Sequence, residues 1–213
     1  MLVTGIKSKP VYAPLQADMR GRYHLMLGMG VGAAPLLRVI DEMQSAAAGT
    51  LKNTRVLYVP DGGDAGAATG QVSAAPEIER FTAAAVADVR AFRGTPALLE
   101  EFRSTLGKSL MGTRLYVAGP ESFIGLVMKI ALEFNLNKDE IRAEECGTLA
   151  RRVYCIHCRA TTETVRTNIV QCIACDRWLL VRDHYSRRLA AYMGVMVDAE
   201  APGELPPLKE VFL

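Results

Sequence analysis

Short apolar runs and longer stretches of helical period alternate along the first two thirds of the chain. Residues 23–29 (YHLMLGM), 54–60 (TRVLYVP) and 113–119 (TRLYVAG) are apolar runs ending in glycine or proline, the pattern of buried strands. Between them, Leu36, Leu37, Ile40 and Met43 recur at helical spacing with Gly49 as a stop. Residues 95–110 form an amphipathic pattern, with Thr95 as the expected cap and Pro96 at the first helical position. Residues 120–136 give a further helix, with Phe123, Val127, Ile130 and Leu132 as its apolar face. Residues 81–92 fit helix or strand, with a strand expected near 86–92, and residues 139–146 fit a last short strand. Residues 61–77 are rich in Gly, Ala and Ser and are expected to form a loop. Strands alternating with helices at this spacing predict an α/β fold, a parallel sheet with helices on both faces.

From Gly147 the character changes. Two Cys-x-x-Cys hooks, Cys155/Cys158 and Cys172/Cys175, stand thirteen residues apart in a chain with five cysteines. Four thiolates at this spacing can close tetrahedrally on one ion, and the segment between the hooks has the length of a β-hairpin that would bring them together. The expected organisation is therefore a domain over residues 1–148, a small β-rich four-cysteine module over 149–198, and an extended arm over 199–213. That last stretch carries three prolines in fifteen residues.

The metal is zinc or a single redox iron, since four thiolates suit both. Iron sites of the rubredoxin kind carry Pro and Gly inside and after each hook. Here the hooks contain Ile156-His157 and Ile173-Ala174 and are followed by Arg159 and Asp176, which favours zinc. His157 is expected as an exposed neighbour of the site, and Trp178 and Tyr185 as side chains packed over the metal knuckle. Cys146 is expected as a small core residue.

Composition narrows the rest. Half the residues are hydrophobic and the net charge is +2, so no long basic face offers itself to nucleic acid. Arg177, Arg182, Arg187 and Arg188 make the densest basic spot, expected as a solvated rim. No apolar run has the length of a membrane span, and the first residues lack the apolar core of a signal peptide. Hooked cysteines fit a reducing compartment, which places the protein in the cytoplasm. The three histidines, His24, His157 and His184, stand apart with no nucleophile–base pair; the adjacent Asp183-His184 is expected as a surface pair. No catalytic residue is assigned.

The stretch GMGVGAAPLL (28–37) turns from strand to helix on glycines, a geometry that brings backbone amides and a helix N-terminus to a phosphate. YVAGPESF (116–123) makes a second such turn. In this order the two resemble the nucleotide-binding half of the ferredoxin reductase family. Gly28, Gly30, Gly32 and Pro35 fall on its first loop and Gly119, Pro120 and Glu121 on its second, where Ala118 replaces the usual cysteine. The resemblance implies NAD(P)H as the ligand. It leaves too few residues upstream for that family's flavin barrel, so a scaffold without nucleotide stands beside the binding reading. The acidic stretch 60–64 (PDGGD) suits a free ribose hydroxyl better than a 2′-phosphate.

Taken with GIKSKPVYAPL (5–15) and the stretch running from RRVYCIHC (151–158) to CIACDRWLLVRDHYSRRLAAYMGV (172–195), these loops resemble the DmmA family of bacterial dimethylamine monooxygenase subunits. The resemblance implies a multisubunit enzyme that demethylates dimethylamine with dioxygen and reduced pyridine nucleotide. It implies a haem-bearing oxygenase subunit and a flavin and iron–sulfur reductase subunit as partners. This chain would then serve in assembly or electron relay. A free-standing rubredoxin-like electron carrier and a nucleotide-sensing regulatory module are the alternatives.

Overall fold

In the computed structural model, which describes residues 8–47, 49–60 and 76–213, the apolar runs become two separate five-stranded sheets. Each lies in its own compact unit, one spanning 12–147 and the other joining residues 8–11 to 148–213.

The first sheet contains β1 (Tyr23–Met29), β2 (Thr54–Val59), β3 (Asp88–Ala91), β4 (Thr113–Gly119) and β5 (Ile141–Glu145). The spatial order is β3-β2-β1-β4-β5 and every pairing is parallel. Side chains along a strand alternate between faces. Leu25 and Leu27, Leu57 and Val59, and Leu115 and Val117 enter one core with α3 (Thr95–Leu106) and α4 (Glu121–Glu133). Met26, Val56, Tyr58 and Tyr116 enter the other with α1 (Ala33–Ala46) and α2 (Pro76–Ala83). A strand buried on both faces has no polar alternation to show, hence the continuous apolar runs in the sequence.

Several local expectations shift. Gly94 occupies the cap position of α3, Thr95 is already helical, and no side-chain cap bond forms; the Thr95 hydroxyl instead lies 3.8 Å from Met29 Sδ. On α4, Phe123, Val127 and Ile130 are buried, but Leu132 is 44% exposed, because it falls off the stripe that faces the sheet. The ambiguous 81–92 stretch divides: α2 ends at Ala83, and β3 begins at Asp88. Of the expected loop 61–77, residues 61–75 lie outside the described residues.

The stretch before β1 has no regular secondary structure, yet it is tightly held. Leu15 is buried, its N–H donates to Glu144 Oε2 at 2.6 Å, and the Ala17 N–H donates to Glu42 Oε2 at 2.8 Å. Asp18 is the anchor. Its carboxylate accepts from Arg20 Nε and Nη2 at 2.8 and 2.7 Å, and from Arg114 Nε and Arg142 Nη2 at 3.2 Å each. The Arg20 hydrogen bond leads in holding this carboxyl far below the usual carboxylate range, against burial, which pushes it up.

The second unit holds β6 (Arg151–Cys155), β7 (Thr161–Val165), β8 (Ile169–Gln171), β9 (Trp178–Ser186) and β10 (Ala191–Met196), in the order β7-β6-β10-β9-β8. β10 runs parallel to β6, and the other pairings are antiparallel. The segment between the hooks is therefore not a hairpin. Its two strands, β7 and β8, lie at opposite edges of the sheet, and each hook is itself the turn of a hairpin, β6–β7 or β8–β9. β10 fits between the two hairpins through Gly194, where an added Cβ would stand 2.8 Å from Val153 Cγ1 and 2.9 Å from Leu179 Cδ1.

The tail, expected as an extended arm, is hydrogen-bonded to its own module. Asn168 Nδ2 donates to the Pro207 carbonyl, and the Lys209 N–H donates to Asn168 Oδ1. The Val211 and Phe212 N–H groups both donate to the Arg166 carbonyl. The buried Arg151 guanidinium sits between the Tyr192 and Phe212 rings at 3.9 and 3.8 Å and donates to Asp183 at 2.7 Å. Backbone donors and an aromatic ring at the end of the tail find partners on its own module.

The Asp18 cluster gives a pH-dependent stability with a defined sign. A depressed carboxyl contributes stability that is present above the ordinary Asp range and is lost as pH falls through its folded value. Asp18→Asn should cost about 1–3 kcal/mol at pH 7. The gap should narrow as pH falls below about 4. Urea unfolding of both proteins at pH 7 and pH 3 measures this; an equal gap at the two pH values would show that the carboxylate charge is not the stabilising element.

Candidate functional site

The two hooks are built alike. In the first, the Arg159 N–H donates to the Cys155 carbonyl at 2.9 Å and the Cys155 N–H to the Ala160 carbonyl at 2.9 Å. In the second, the Asp176 N–H donates to the Cys172 carbonyl at 3.1 Å and the Cys172 N–H to the Arg177 carbonyl at 2.9 Å. The residue after each second cysteine must adopt a left-handed backbone to close the turn. Arg159 has φ +69° and Asp176 φ +55°. Glycine suits this position best, and these two side chains hold it at some backbone cost.

Cys155 and Cys172, the first of each hook, are buried, while Cys158 and Cys175 are half-buried. All four Sγ atoms lie within 4.8 Å of one another. Cys155 and Cys175 stand 3.8 Å apart, and Cys158 and Cys172 3.4 Å apart. Sulfurs about 2.3 Å from a central ion, at tetrahedral corners, would be separated by about 3.8 Å. The donor set fits a four-thiolate metal ion in number, chemistry and spacing.

The thiol electrostatics agree. Cys175 is lowered to about 6, first by the Arg177 backbone N–H, with further help from the Cys158 and Cys172 thiols. Cys158 receives the equivalent N–H from Ala160, but burial and the neighbouring sulfurs outweigh it and push the thiol up to about 12.

Around the cluster, Val153, Val165, Leu179 and Val181 are the buried packing residues. Tyr185 is not part of it; its ring meets Tyr192 at 5.0 Å. Trp178 is half-buried at the start of β9, opposite Gln171, and also lies outside the packed cluster. His157 is exposed, with Nδ1 3.1 Å from Arg177 Nη1. Asp183 and His184 are exposed where the β9–β10 register shifts, and Asp183 pairs with Arg151, so the two do not act as a dyad. Gly194, Arg151 and Phe212 were not singled out in the sequence. Only the short spacing between β9 and β10 marks the first, and nothing local marks the other two.

The glycine loops meet at the carboxyl edge of the parallel sheet. β1 ends at Met29, Gly30–Gly32 form a 3-10 turn, and α1 follows with Pro35 buried in its first turn. Gly30 has φ +54°, and its carbonyl accepts from the buried Tyr58 hydroxyl at 2.6 Å. An added Cβ on Gly32 would stand 2.2 Å from the Ala118 carbonyl oxygen, and on Gly28 2.8 Å from Leu36 Cδ1. Gly119, φ +156°, lies against Met29 and Phe123, and its carbonyl accepts from the Cys146 N–H at 3.0 Å. Pro120 caps α4, and Glu121, its first residue, is buried. The glycines thus permit close packing of the two loops against each other, and the Ala33 N–H is taken up by the Gly30 and Val31 carbonyls. Pro60 closes β2 nearby, while 61–64 lie outside the described residues. Cys146 is half-buried, and its thiol is pushed up to about 11, first by burial and then by Glu144 and Glu145.

Comparison with known proteins agrees with both units. Residues 4–141 match the model of the N-terminal domain of dimethylamine monooxygenase subunit DmmA-like proteins, and residues 152–195 match that of the C-terminal domain. The heme-dependent oxidative N-demethylase delta subunit of Ectopseudomonas mendocina is 34% identical over 99 residues, covering 46% of this chain and 57% of that protein. Among solved structures, the ferredoxin reductase of carbazole 1,9a-dioxygenase is 16% identical with TM-score 0.42, covering 61% of this chain and 34% of the other. The FAD/NAD-binding domain of a Vibrio cholerae nitric oxide dioxygenase is 16% identical with TM-score 0.39, covering 61% and 53%. With a parallel-sheet unit and a four-cysteine unit matched in order along one polypeptide, the chain belongs to the DmmA-like family of dimethylamine monooxygenase subunits.

Proposed function

We propose that this protein is a non-haem subunit of a multisubunit monooxygenase that oxidatively demethylates dimethylamine. In that reaction dimethylamine, dioxygen and a reduced pyridine nucleotide with a proton give methylamine, formaldehyde, water and the oxidised nucleotide. The subunit acts in docking between a haem-bearing oxygenase subunit and a flavin and iron–sulfur reductase subunit. The observation that carries this reading is the match of both DmmA-like models to successive units of the chain. The N-demethylase relative, itself a delta subunit, supports it. The scattered histidines support a role away from the oxygen chemistry: His157 and His184 are exposed, and His24 is buried beside Tyr116. No helix among the described residues is long and apolar enough to cross a membrane. We place the protein in the cytoplasm, where its thiols stay reduced.

In this reading Cys155, Cys158, Cys172 and Cys175 hold zinc as a structural ion. The left-handed Arg159 and Asp176, in positions where glycine would be unstrained, set these hooks apart from the rubredoxin pattern. An iron carrier is the second reading, since the same sulfur geometry would serve it.

Four measurements test the proposal. Elemental analysis with a visible spectrum, on protein from its native host, should give one zinc per chain and no colour. Cys172→Ser should lose the metal together with the near-UV signal of the module. One iron per chain, red when oxidised, would overturn the zinc assignment and make this subunit part of the electron path. Tagged protein purified from a host carrying the neighbouring genes should bring a haem protein with it, and recovery of the chain alone would refute the docking role. Calorimetric titration with NADH and NADPH tests the nucleotide role of the Gly30–Gly32 turn, and no saturable binding up to millimolar concentration is the outcome expected of a scaffold without nucleotide. Saturable binding lost in a Gly30→Val variant would restore the nucleotide role to these loops.

A further inference from the structure

The end of the parallel sheet opposite the glycine loops carries a separate cavity. It has a volume of ≈ 360 Å³ and opens between the first residues of β1, β2, β3 and β4 and the end of α3. The proposed subunit role does not use it. Six polar or charged residues are buried among the described residues, and three of them, His24, Thr54 and Thr113, line this one cavity. Buried polar groups are costly unless they are satisfied, so three at one place need a reason.

Local bonds account for part of it. Thr54 Oγ1 donates to the Thr50 carbonyl at 3.3 Å, and Thr113 Oγ1 to the Leu110 carbonyl at 2.7 Å, which leaves both hydroxyl oxygens as acceptors. The Tyr116 hydroxyl accepts the Asp18 N–H at 2.9 Å and lies 3.3 Å from His24 Nδ1. Burial holds the His24 imidazole below its ordinary value, so the ring is neutral. A neutral imidazole donates from one ring nitrogen and accepts at the other, so with the two threonine oxygens the cavity wall offers polar atoms to a ligand.

The rim is cationic. Lys52, Arg55 and Lys108 line it. Arg55 is neutralised by Asp88 at 2.7 Å and also donates to Thr105 Oγ1 at 3.3 Å. Neither Lys52 nor Lys108 has an ion-pair partner among the described residues, which leaves two positive charges uncompensated at one opening. Tyr23 and Leu110 add apolar surface, and Leu110 is 62% exposed. The volume is at the lower end of the roughly 300–1,000 Å³ typical of small-molecule sites. It is about twelve times the ~30 Å³ that a water occupies in the liquid, which suits a head group and one ring.

We propose that this cavity binds a small organic phosphate monoester, its dianionic head held by Lys52 and Lys108 and its ring lying against Tyr23 and Leu110. Two unpaired ammonium groups match a dianion in charge, and lysine binds phosphate as a point charge without needing a fixed fork. His24 and the threonine hydroxyls then meet polar atoms on the body of the ligand. The site is at the amino ends of the strands, so it is independent of any nucleotide at the glycine loops.

The test is an amide-shift titration of the full chain with phenyl phosphate at constant ionic strength, with inorganic phosphate in parallel. Saturable shifts are expected at residues 23–25, 52–55 and 105–113, with inorganic phosphate binding more weakly by about ten-fold or more for want of a ring. Lys52→Ala/Lys108→Ala, two surface changes that leave the core intact, should weaken phenyl phosphate by about ten-fold or more. The proposal is overturned by any of three results: no saturation through millimolar concentrations, equal affinity in the double variant, or shifts confined to residues 28–35. Inorganic phosphate binding as tightly as phenyl phosphate would also overturn it, since that marks a plain anion patch.

Discussion

Four thiols brought within 4.8 Å of one another do not all ionise unless a cation lies among them. The second unit of this protein is organised around that constraint. Its buried apolar cluster is small, with Val153, Val165, Leu179 and Val181 packed against Cys155 and Cys172. A core of that size does not by itself hold five strands together, and small folds of this kind rely on a staple. The two knuckles supply the ligands for one. Each is the tip of a separate hairpin, and β10 fills the gap between the hairpins because Gly194 has no side chain. The tail then closes the module, with Phe212 and Tyr192 on either side of the Arg151 guanidinium.

The first unit rests on different physics. Its sheet is buried on both faces, and two cores divide the alternate residues of β1, β2 and β4 between them. Close approach of backbone sets the carboxyl edge: Gly32 lies directly over the Ala118 carbonyl, and Gly30 is tied to Tyr58. The glycines of this turn let two loops touch. Charge sets the other features. The Asp18 carboxylate gathers Arg20, Arg114 and Arg142, and so fixes the stretch before β1. The uncompensated lysines at the amino edge leave that end of the sheet open to an anion. The two ends of this sheet thus differ, with glycine loops packed at the carboxyl end and basic side chains lining a cavity at the amino end.

Three of the four helices, the strands of the parallel sheet and the four-cysteine set were legible in the sequence because each depends on near neighbours, while α2 lies across a stretch read partly as loop and partly as helix or strand. Period-two and period-3.6 burial shows within a dozen residues, and a Cys-x-x-Cys turn is a local object. Errors appeared where one residue decides the matter. Thr95 reads as a cap because its chemistry suits one, but Gly94 takes the position. Leu132 reads as a face residue because it is apolar, but it lies at the margin of the stripe. The hairpin expected between the hooks failed for a different reason. Length alone permits it, while the pairing of β7 with β6 and of β8 with β9 is set by which edges find partners.

The sequence by itself determined the α/β class, the alternating order of elements and the identity of the sulfur donors, since periodicity and spacing carry that information along the chain. Tertiary structure decided what each end of the sheet presents. It also decided how the two hooks meet and where the tail lies. Those outcomes depend on contacts between residues far apart in the chain: Gly32 with Ala118, Asp18 with Arg142, and Arg151 with Phe212. No local pattern encodes such pairs, because the free energy of each exists only once the chain has brought its two members together.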